Sequence, residues 1–451
     1  MRRGAIEMST DNVSDNRTKV EIAPTPGGPL SYGNRIKAIV AGSAGNLIEW
    51  YDYFVYAFTA LYFSGAFFPK GDRTAQLMAT AGVFAVGFLF RPLGAWYFGR
   101  FADRHGRQAG MVVSIVLMGG GSLLIAILPS YAQIGVMAPV LLVIGRIVQG
   151  FSTGGQYGAA ATYLSEIAVS GKRGFYASFQ YVTLIGGQLL ALLVILVLQE
   201  LLNEDAMRAY GWRIAFLLGA VGATAILSFR HLMHETMQEG DRHEGAGTLR
   251  ALMEHPKAFL TVLGLTSGGS LVFYTFSTYM QKYLVNTAHI DARVANLVMT
   301  AVLIPFIIFQ PLFGLLSDKI GRRNNMLIFG VLSVLCTVPL MTLLGGNSNP
   351  WIAFVLVLAG LAINSVYTSI SGLFKAELFP IHVRALGVSL GYGIANALFG
   401  GTAELVALRF KQVGHETWFY WYVTAVCGVS LLTAVLMRDT RKHNPLDDLK
   451  L

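Results

Sequence analysis

The chain has 451 residues, 54% of them hydrophobic and only 13% charged, with a mean hydropathy of +0.54. A soluble globular domain carries about 25% charged residues, so water is excluded as the main solvent. The formal net charge of +9 is therefore read as a topology signal, from where the basic residues fall, and not as a nucleic-acid signal. In chain order, residues 1–35 are polar and punctuated by Pro24-Thr25-Pro26-Gly27-Gly28-Pro29, which predicts a disordered tail. No short apolar segment with a small-residue cleavage site follows the charged start, so a removable signal peptide is not expected.

Apolar runs of spanning length follow at 37–66, 75–99, 109–129, 134–164, 174–201 and 211–230. After a polar stretch from His231 to Pro256 they resume at 257–284, 292–316, 324–345, 350–376, 385–408 and 417–437. In a bilayer each backbone group must be satisfied within its own segment, so these runs predict helices. The expected fold is an all-α membrane protein of twelve transmembrane helices. Its parts are a six-helix half over 36–230, a linker over 231–256, a second six-helix half over 257–437, and a tail over 438–451. Glycines such as Gly119, Gly120 and Gly121 suit close helix approach. Cys336 and Cys427 lie in apolar runs and read as small buried hydrophobes.

Lys and Arg orient the chain. With the N-terminus placed in the cytoplasm, 24 of the 34 fall on cytoplasmic segments and eight on outer ones, among them Lys282. Lys375 and Arg384 are counted with a cytoplasmic loop, and Arg91 and Arg146 lie inside spans. This bias predicts both termini in the cytoplasm.

One stretch occurs twice. Gly99-Arg100-Phe101-Ala102-Asp103-Arg104-His105-Gly106-Arg107 is echoed by Gly314-Leu315-Leu316-Ser317-Asp318-Lys319-Ile320-Gly321-Arg322, with Asp, Gly and Arg matching at an offset of 215 residues. A second pair supports the duplication. Glu166 precedes Arg173 by seven residues, and Glu377 precedes Arg384 by seven. The glycines permit a tight turn and close helix approach. The acid can accept hydrogen bonds at the positive N-terminus of a neighbouring helix, and the arginines can pair with Glu166 and Glu377. Gly99, Asp103, Arg104, Gly106, Arg107, Glu166, Arg173, Asp318, Arg322, Glu377 and Arg384 are thus expected to form gating latches.

The duplicated loop resembles the signature of the major facilitator superfamily, and Arg146-Ile147-Val148-Gln149-Gly150 matches its Arg-x-x-Gln-Gly element. Gly45-Asn46-Leu47-Ile48-Glu49-Trp50-Tyr51-Asp52 and Phe90-Arg91-Pro92-Leu93-Gly94 narrow the resemblance to the metabolite:proton symporter family. The stretches Gly174–Leu190, Tyr279–Ala288 and Val383–Gly387 resemble the branch of that family that imports 2-oxoglutarate with protons. The resemblance runs from about residue 36 to about 436. One position departs from it. The family run Gly-Gly-Glu-Tyr-Gly is here Gly154-Gly155-Gln156-Tyr157-Gly158, and glutamine keeps the shape but cannot carry a proton.

Charges inside spans are costly and invite a functional reading. Asn46, Glu49, Asp52 and Tyr56 recur at spacings of three, three and four, which places them on one helix face near mid-membrane. Asp52 and Glu49 are proton-coupling candidates, with an ion pair to Arg91 as the structural alternative, and Gln156 marks a third coupling position. A dicarboxylate calls for a forked cation, which points to Arg91 and Arg146. Tyr56, Tyr157, Gln188, Tyr274 and Asn364 can add hydrogen bonds around a substrate. Glu404 reads as interfacial, and Trp418, Phe419, Tyr420, Trp421 and Tyr422 as a membrane interface belt.

No phosphate-cradling loop is present, which argues against ATP-driven transport, and no enzymatic site, cofactor or metal is expected. The resemblance implies a monomeric, multi-pass protein of the bacterial inner membrane whose partners are a dicarboxylate, protons and the lipid bilayer, with no nucleic acid. The alternatives are a symporter of another organic acid such as citrate or of a zwitterionic osmolyte, a non-transporting nutrient sensor, or a channel.

Overall fold

The computed structural model describes residues 32–105, 107–154, 156–166, 168, 171–228 and 248–437. Among them every regular element is helical. The helices form twelve rods. The first six are α1 (Tyr32–Phe67), α2 (Arg73–Leu89, continued by Arg91–His105), α3 (Arg107–Ile127), α4 (Met137–Thr153 and Gln156–Glu166), α5 (Arg173–Leu201) and α6 (Glu204–Ala206, a wide turn Met207–Gly211, and Trp212–Ser228). The second six are α7 (Pro256–Phe273, a wide turn Tyr274–Tyr279, and Met280–Asn286), α8 (Ala292–Ile320), α9 (Arg322–Gly345), α10 (Pro350–Thr368 and Ser371–Leu378), α11 (Ile381–Ala395, a wide turn Asn396–Gly400, and Ala403–Gln412) and α12 (Thr417–Leu436).

The starts are written locally. Asp72 caps α2 by accepting from the Ala75 amide at 2.7 Å, Asp291 caps α8, and Asn349 caps α10 just before Pro350. Within each half short connections make successive rods antiparallel, so the bundle has a face where α1 begins and an opposite face where it ends. α1 starts at Tyr32, so the last residues of the stretch expected as a tail, 32–35, are helical. Within the expected linker, Leu249–Met253 forms a short helix capped by Thr248; the tail ahead of residue 32, the linker over 231–247 and the final tail lie outside the described residues.

Seven described helices are long and apolar enough to cross a membrane, and α3 and α4 add shorter apolar stretches. Rods broken by a turn, such as α4, α6 and α11, present shorter continuous pieces than their sequence runs imply. The outer surface is studded with exposed Val197, Leu297, Ile308, Leu335, Val355 and Leu432. In water such a coat would drive aggregation, whereas in lipid it is the solvated surface.

The halves meet along α5 and α8, and along α2 with α11. Where α5 starts, Gly174 faces Gly314 of α8, and a Cβ on Gly314 would lie 2.5 Å from the Gly174 carbonyl oxygen. At that approach Asp318 accepts hydrogen bonds from the Gly174 and Phe175 amides at 2.8 and 3.1 Å. This is the acid at a helix N-terminus that the motif predicts. Gly321 turns α8 into α9 with φ of 93°, a conformation that favours glycine. Arg322 donates to Asp318 at 3.0 Å and to Glu377 at 3.2 Å, tying the α8–α9 turn to α10.

On the opposite face, α7 holds α1. Gln281 donates to the Phe58 carbonyl at 3.2 Å and Lys282 to the Ala57 carbonyl at 2.7 Å. Asn296 of α8 donates to Gln199 of α5 at 3.1 Å, and Arg293 pairs with Glu200. The bundle is therefore latched on both faces.

Three sequence expectations change here. Glu404 is not interfacial: it is buried and accepts from Lys282 at 2.8 Å, because an acid on the inner side of α11 finds a cation on α7. Lys282 and Lys375, counted with loops, are both fully buried inside the bundle. Removing these two leaves the direction of the charge bias intact. The aromatic run of α12 is split by helical periodicity. Trp418 and Trp421 face outward, whereas Phe419 and Tyr420 face inward, with the Tyr420 and Tyr283 hydroxyls 2.5 Å apart.

Candidate functional site

The midpoint of α1 falls at Glu49 and Trp50, so the one-face spacing of Asn46, Glu49, Asp52 and Tyr56 comes to lie in the middle of the bundle. Asn46 turns to α5, donating to Thr183 at 2.8 Å and accepting from Trp50 at 3.0 Å. Asp52 is 1% exposed and faces α3 and α4. Its carboxylate accepts from the Ser122 hydroxyl and from the Gln149 amide at 2.9 Å. Gln149 also accepts from Arg146 at 2.6 Å, so it relays the acid of α1 to the base of α4. That relay gives the Arg-x-x-Gln-Gly element a physical meaning. Gly150 closes the motif because a Cβ there would lie 1.8 Å from the Gly87 carbonyl oxygen of α2. This close approach of α4 to α2 brings Arg146 and Arg91 to the same aromatic cluster.

Both arginines lean on rings. Arg91 lies 4.2 Å from the Tyr53 and Phe88 ring centres, and Arg146 lies 4.3 Å from that of Tyr56 and 5.0 Å from that of Tyr53. Cation–π contact orients a guanidinium without using its N–H groups. Nε and Nη2 of both arginines are buried without a hydrogen-bond partner, as is Oε2 of Glu49. Glu49 and Arg91 line one narrow cleft, with Asn46, Trp50, Thr153, Gly154, Tyr157, Ser389, Tyr392 and Gly393. No ion pair joins Glu49 to Arg91, so the structural alternative for that acid is not what the geometry presents. The cleft has a volume of about 10 Å³, room for one water at most. A larger cavity of about 790 Å³ opens on the opposite face between Gly65, Pro129, Arg208 and Arg213, away from these charges.

The remaining sequence candidates divide by what their polar atoms do. Tyr56 donates to the Thr80 carbonyl at 3.0 Å, so its ring supports Arg146 while its hydroxyl is engaged. Gln188 of α5 donates to the Ser277 carbonyl of α7 at 2.9 Å, and Asn364 of α10 donates to the Gly269 carbonyl at 3.1 Å. Both keep a buried amide oxygen without a partner. Tyr274 opens the wide turn of α7, and its buried hydroxyl has no partner. Tyr157 of α4 stacks on Tyr392 of α11 with ring centres 3.5 Å apart and accepts from Lys375 at 3.1 Å.

Among the gating candidates, Asp318, Arg322 and Glu377 meet in the latch already described. Arg384 donates to the Ala376 and Phe379 carbonyls, pinning the α10–α11 connection, and Arg173 opens α5. Gly99 lies in the second segment of α2. Gly106 lies outside the described residues, as do the side chains of Asp103, Arg104, Arg107, Gln156 and Glu166.

Three residues of the site escape the sequence reading. Lys375 is hidden because Phe374-Lys375-Ala376-Glu377 reads as the edge of a loop. Tyr392 is one aromatic among many. Asn396, fully buried with neither amide atom partnered, starts the wide turn of α11, which no sequence pattern marks. Wide turns inside helices are frequent at functional sites, and those of α7 and α11 bring Tyr274 and Asn396 side by side around Gly400.

Against known proteins, the family model described as Major Facilitator Superfamily matches residues 53–403, with a second match over 259–449. The alpha-ketoglutarate permease of Escherichia coli (strain K12) is 56% identical over 409 residues, covering 90% of this chain and 95% of that protein. The citrate-proton symporter of Klebsiella pneumoniae is 34% identical over 420 residues, covering 90% and 93%. The inward-open xylose transporter XylE from E. coli superposes with a TM-score of 0.70 at 18% identity, covering 91% of this chain and 98% of that one.

Proposed function

Because the chain belongs to the Major Facilitator Superfamily, and is a multi-pass membrane transporter and not an enzyme, we propose that it imports 2-oxoglutarate by proton symport. A central site opens alternately to the two faces of the inner membrane. The observation that carries this reading is the pairing, in one closed interior, of forked cations with free donor atoms and acids that can take up protons. Arg91 and Arg146 supply guanidinium N–H groups with no partner, which fits a carboxylate ligand. The 56% identity to a permease of that substrate selects 2-oxoglutarate over citrate and over the zwitterionic osmolytes.

In this reading Arg91 binds substrate, with Tyr157, Tyr274, Gln188 and Asn364 shaping the chamber. Asp52 and Glu49 carry protons, Gln149 links Asp52 to Arg146, and Gln156 occupies a coupling position without a titratable group. Protonation of Asp52 removes the charge that Ser122 and Gln149 solvate, which frees the Gln149–Arg146 arm to rearrange. The α8–α9 latch at Asp318 and the α7–α1 latch at Lys282 break in turn as the halves rock. Both termini face the cytoplasm, the 231–256 linker joins the halves on that side, and a single chain is the working unit. Moving a dianion into a negative cell opposes about 2.3 kcal/mol per charge per 100 mV, so at least two protons accompany each substrate.

The test is uptake of labelled 2-oxoglutarate into proteoliposomes under an imposed proton gradient. Saturable accumulation that a protonophore abolishes is the expected result. No movement of label with a competent gradient would sink the substrate assignment, and accumulation indifferent to the protonophore would sink symport. The Gln156→Glu variant is expected to accumulate as well, with a shifted pH profile.

A further inference from the structure

Resting on the transport reading above, we infer that Lys375 is a second anion subsite, taking the distal carboxylate of the dicarboxylate whose other carboxylate Arg91 holds. Lys375 sits on the second segment of α10, beyond the break at Ser369 and Ile370, and is fully buried. Its ammonium donates to Ser371 at 2.7 Å and to the Tyr157 hydroxyl at 3.1 Å. An ammonium has three donors, and the third has no acceptor among the described residues. Among the described residues no carboxylate lies within ion-pairing distance. Glu377, two positions along, is held by Arg322.

Rings fill the rest of its surroundings. The ammonium lies 4.5 Å from the Tyr392 ring centre, 5.1 Å from Tyr157, 5.4 Å from Phe374 and 5.8 Å from Tyr367. Such a cage tolerates a cation but does not neutralise it, and a buried charge is costly until an opposite charge joins it. The other buried lysine, Lys282, has that partner in Glu404; Lys375 has none among the described residues.

Its position says what the partner is. Tyr157 and Tyr392, the two rings nearest its ammonium, also line the cleft that contains Arg91. Arg91 belongs to the first half and Lys375 to the second, and the Tyr157–Tyr392 stack spans the boundary between them. A ligand with a carboxylate at each end meets one cation from each half once the two rings part. A monocarboxylate satisfies only one, and a zwitterion places its own cation against one of the two. Selection for a dianion and closure of the halves around it then come from the same pair of contacts.

The experiment compares binding of 2-oxoglutarate and 2-oxovalerate, which differ only in the distal carboxylate. Ligand-induced thermal stabilisation of the purified full chain in detergent is the readout, so a transport defect cannot mask it. For the unmodified chain, 2-oxoglutarate is expected to bind at least about tenfold more tightly. In Lys375→Met its affinity falls about 10–100-fold, to near that of 2-oxovalerate, whose own affinity moves less than about threefold. Lys375→Arg keeps the charge and most of the preference. Lys375→Gln, polar and of similar length, stands in if the methionine variant does not purify as a monodisperse protein. An intact preference in the neutral variants, or an equal loss for both ligands, overturns the inference while leaving the transport reading in place. Failure of the unmodified chain to bind 2-oxoglutarate overturns both.

Discussion

Two regions of the interior, one in each half, bury charge in different ways. In the second half, Lys282 and Glu404 form a tight pair at 2.8 Å, and Lys282 also holds the Ala57 carbonyl across the boundary between the halves. In the first half, Asp52 and Arg146 are linked only through Gln149, while Arg91 and Glu49 share a cleft without pairing. A direct ion pair in a dry interior is hard to break, which suits a latch. A relayed or unpaired set is easy to protonate or to fill, which suits a site. In the proposed mechanism this difference separates the charges that would hold a conformation from those that would handle substrate and protons.

Several substitutions break or sharpen that contrast. The largest effect is expected for Lys282→Met, which leaves Glu404 buried and alone at a cost of about 3–5 kcal/mol. The double variant Lys282→Met/Glu404→Gln should recover part of that loss. Thermal unfolding in detergent measures both, and a double variant no more stable than the single would contradict the pairing. Arg91→Lys keeps the charge but loses the fork, with an expected drop of about 100-fold in kcat/KM for 2-oxoglutarate and little change in unfolding temperature. Asp318→Asn weakens two charge-assisted bonds to the start of α5, worth about 1.5–3 kcal/mol together. The face where α1 begins should then open more often, raising the labelling rate of a cysteine placed in the cleft. The smallest effect belongs to Arg208→Ala, whose partner Glu204 is exposed; it should alter stability by less than about 0.5 kcal/mol.

Much of this architecture is legible in the sequence because a bilayer permits so few structures. The apolar runs lie within a few residues of the rods, and the repeated Asp318 and Arg322 make the contacts that the motif's chemistry suggests. The one-face spacing of Glu49, Asp52 and Tyr56 likewise survives folding. What escaped depends on tertiary partners. Lys282 and Lys375 stand near polar stretches and count as loop charges until α11 and α4 are seen to enclose them. Glu404 reads as interfacial for the same reason, because its partner lies 122 residues away. The wide turns of α7 and α11 leave no pattern, since Tyr274 and Asn396 acquire their places only when helices pack. Sequence periodicity gives the face of a helix, not the identity of what it meets.

The central claim, that a relayed acid in α1 couples protons to substrate, is tested most directly by Asp52→Asn in proteoliposomes. Two measurements on one preparation suffice: counterflow of labelled 2-oxoglutarate at equal pH, and accumulation under an imposed proton gradient. The expected result is counterflow within about threefold of the unmodified chain and a loss of at least about tenfold in gradient-driven accumulation. Accumulation by the Asp52→Asn protein at the unmodified level would contradict the account and move the coupling proton away from α1.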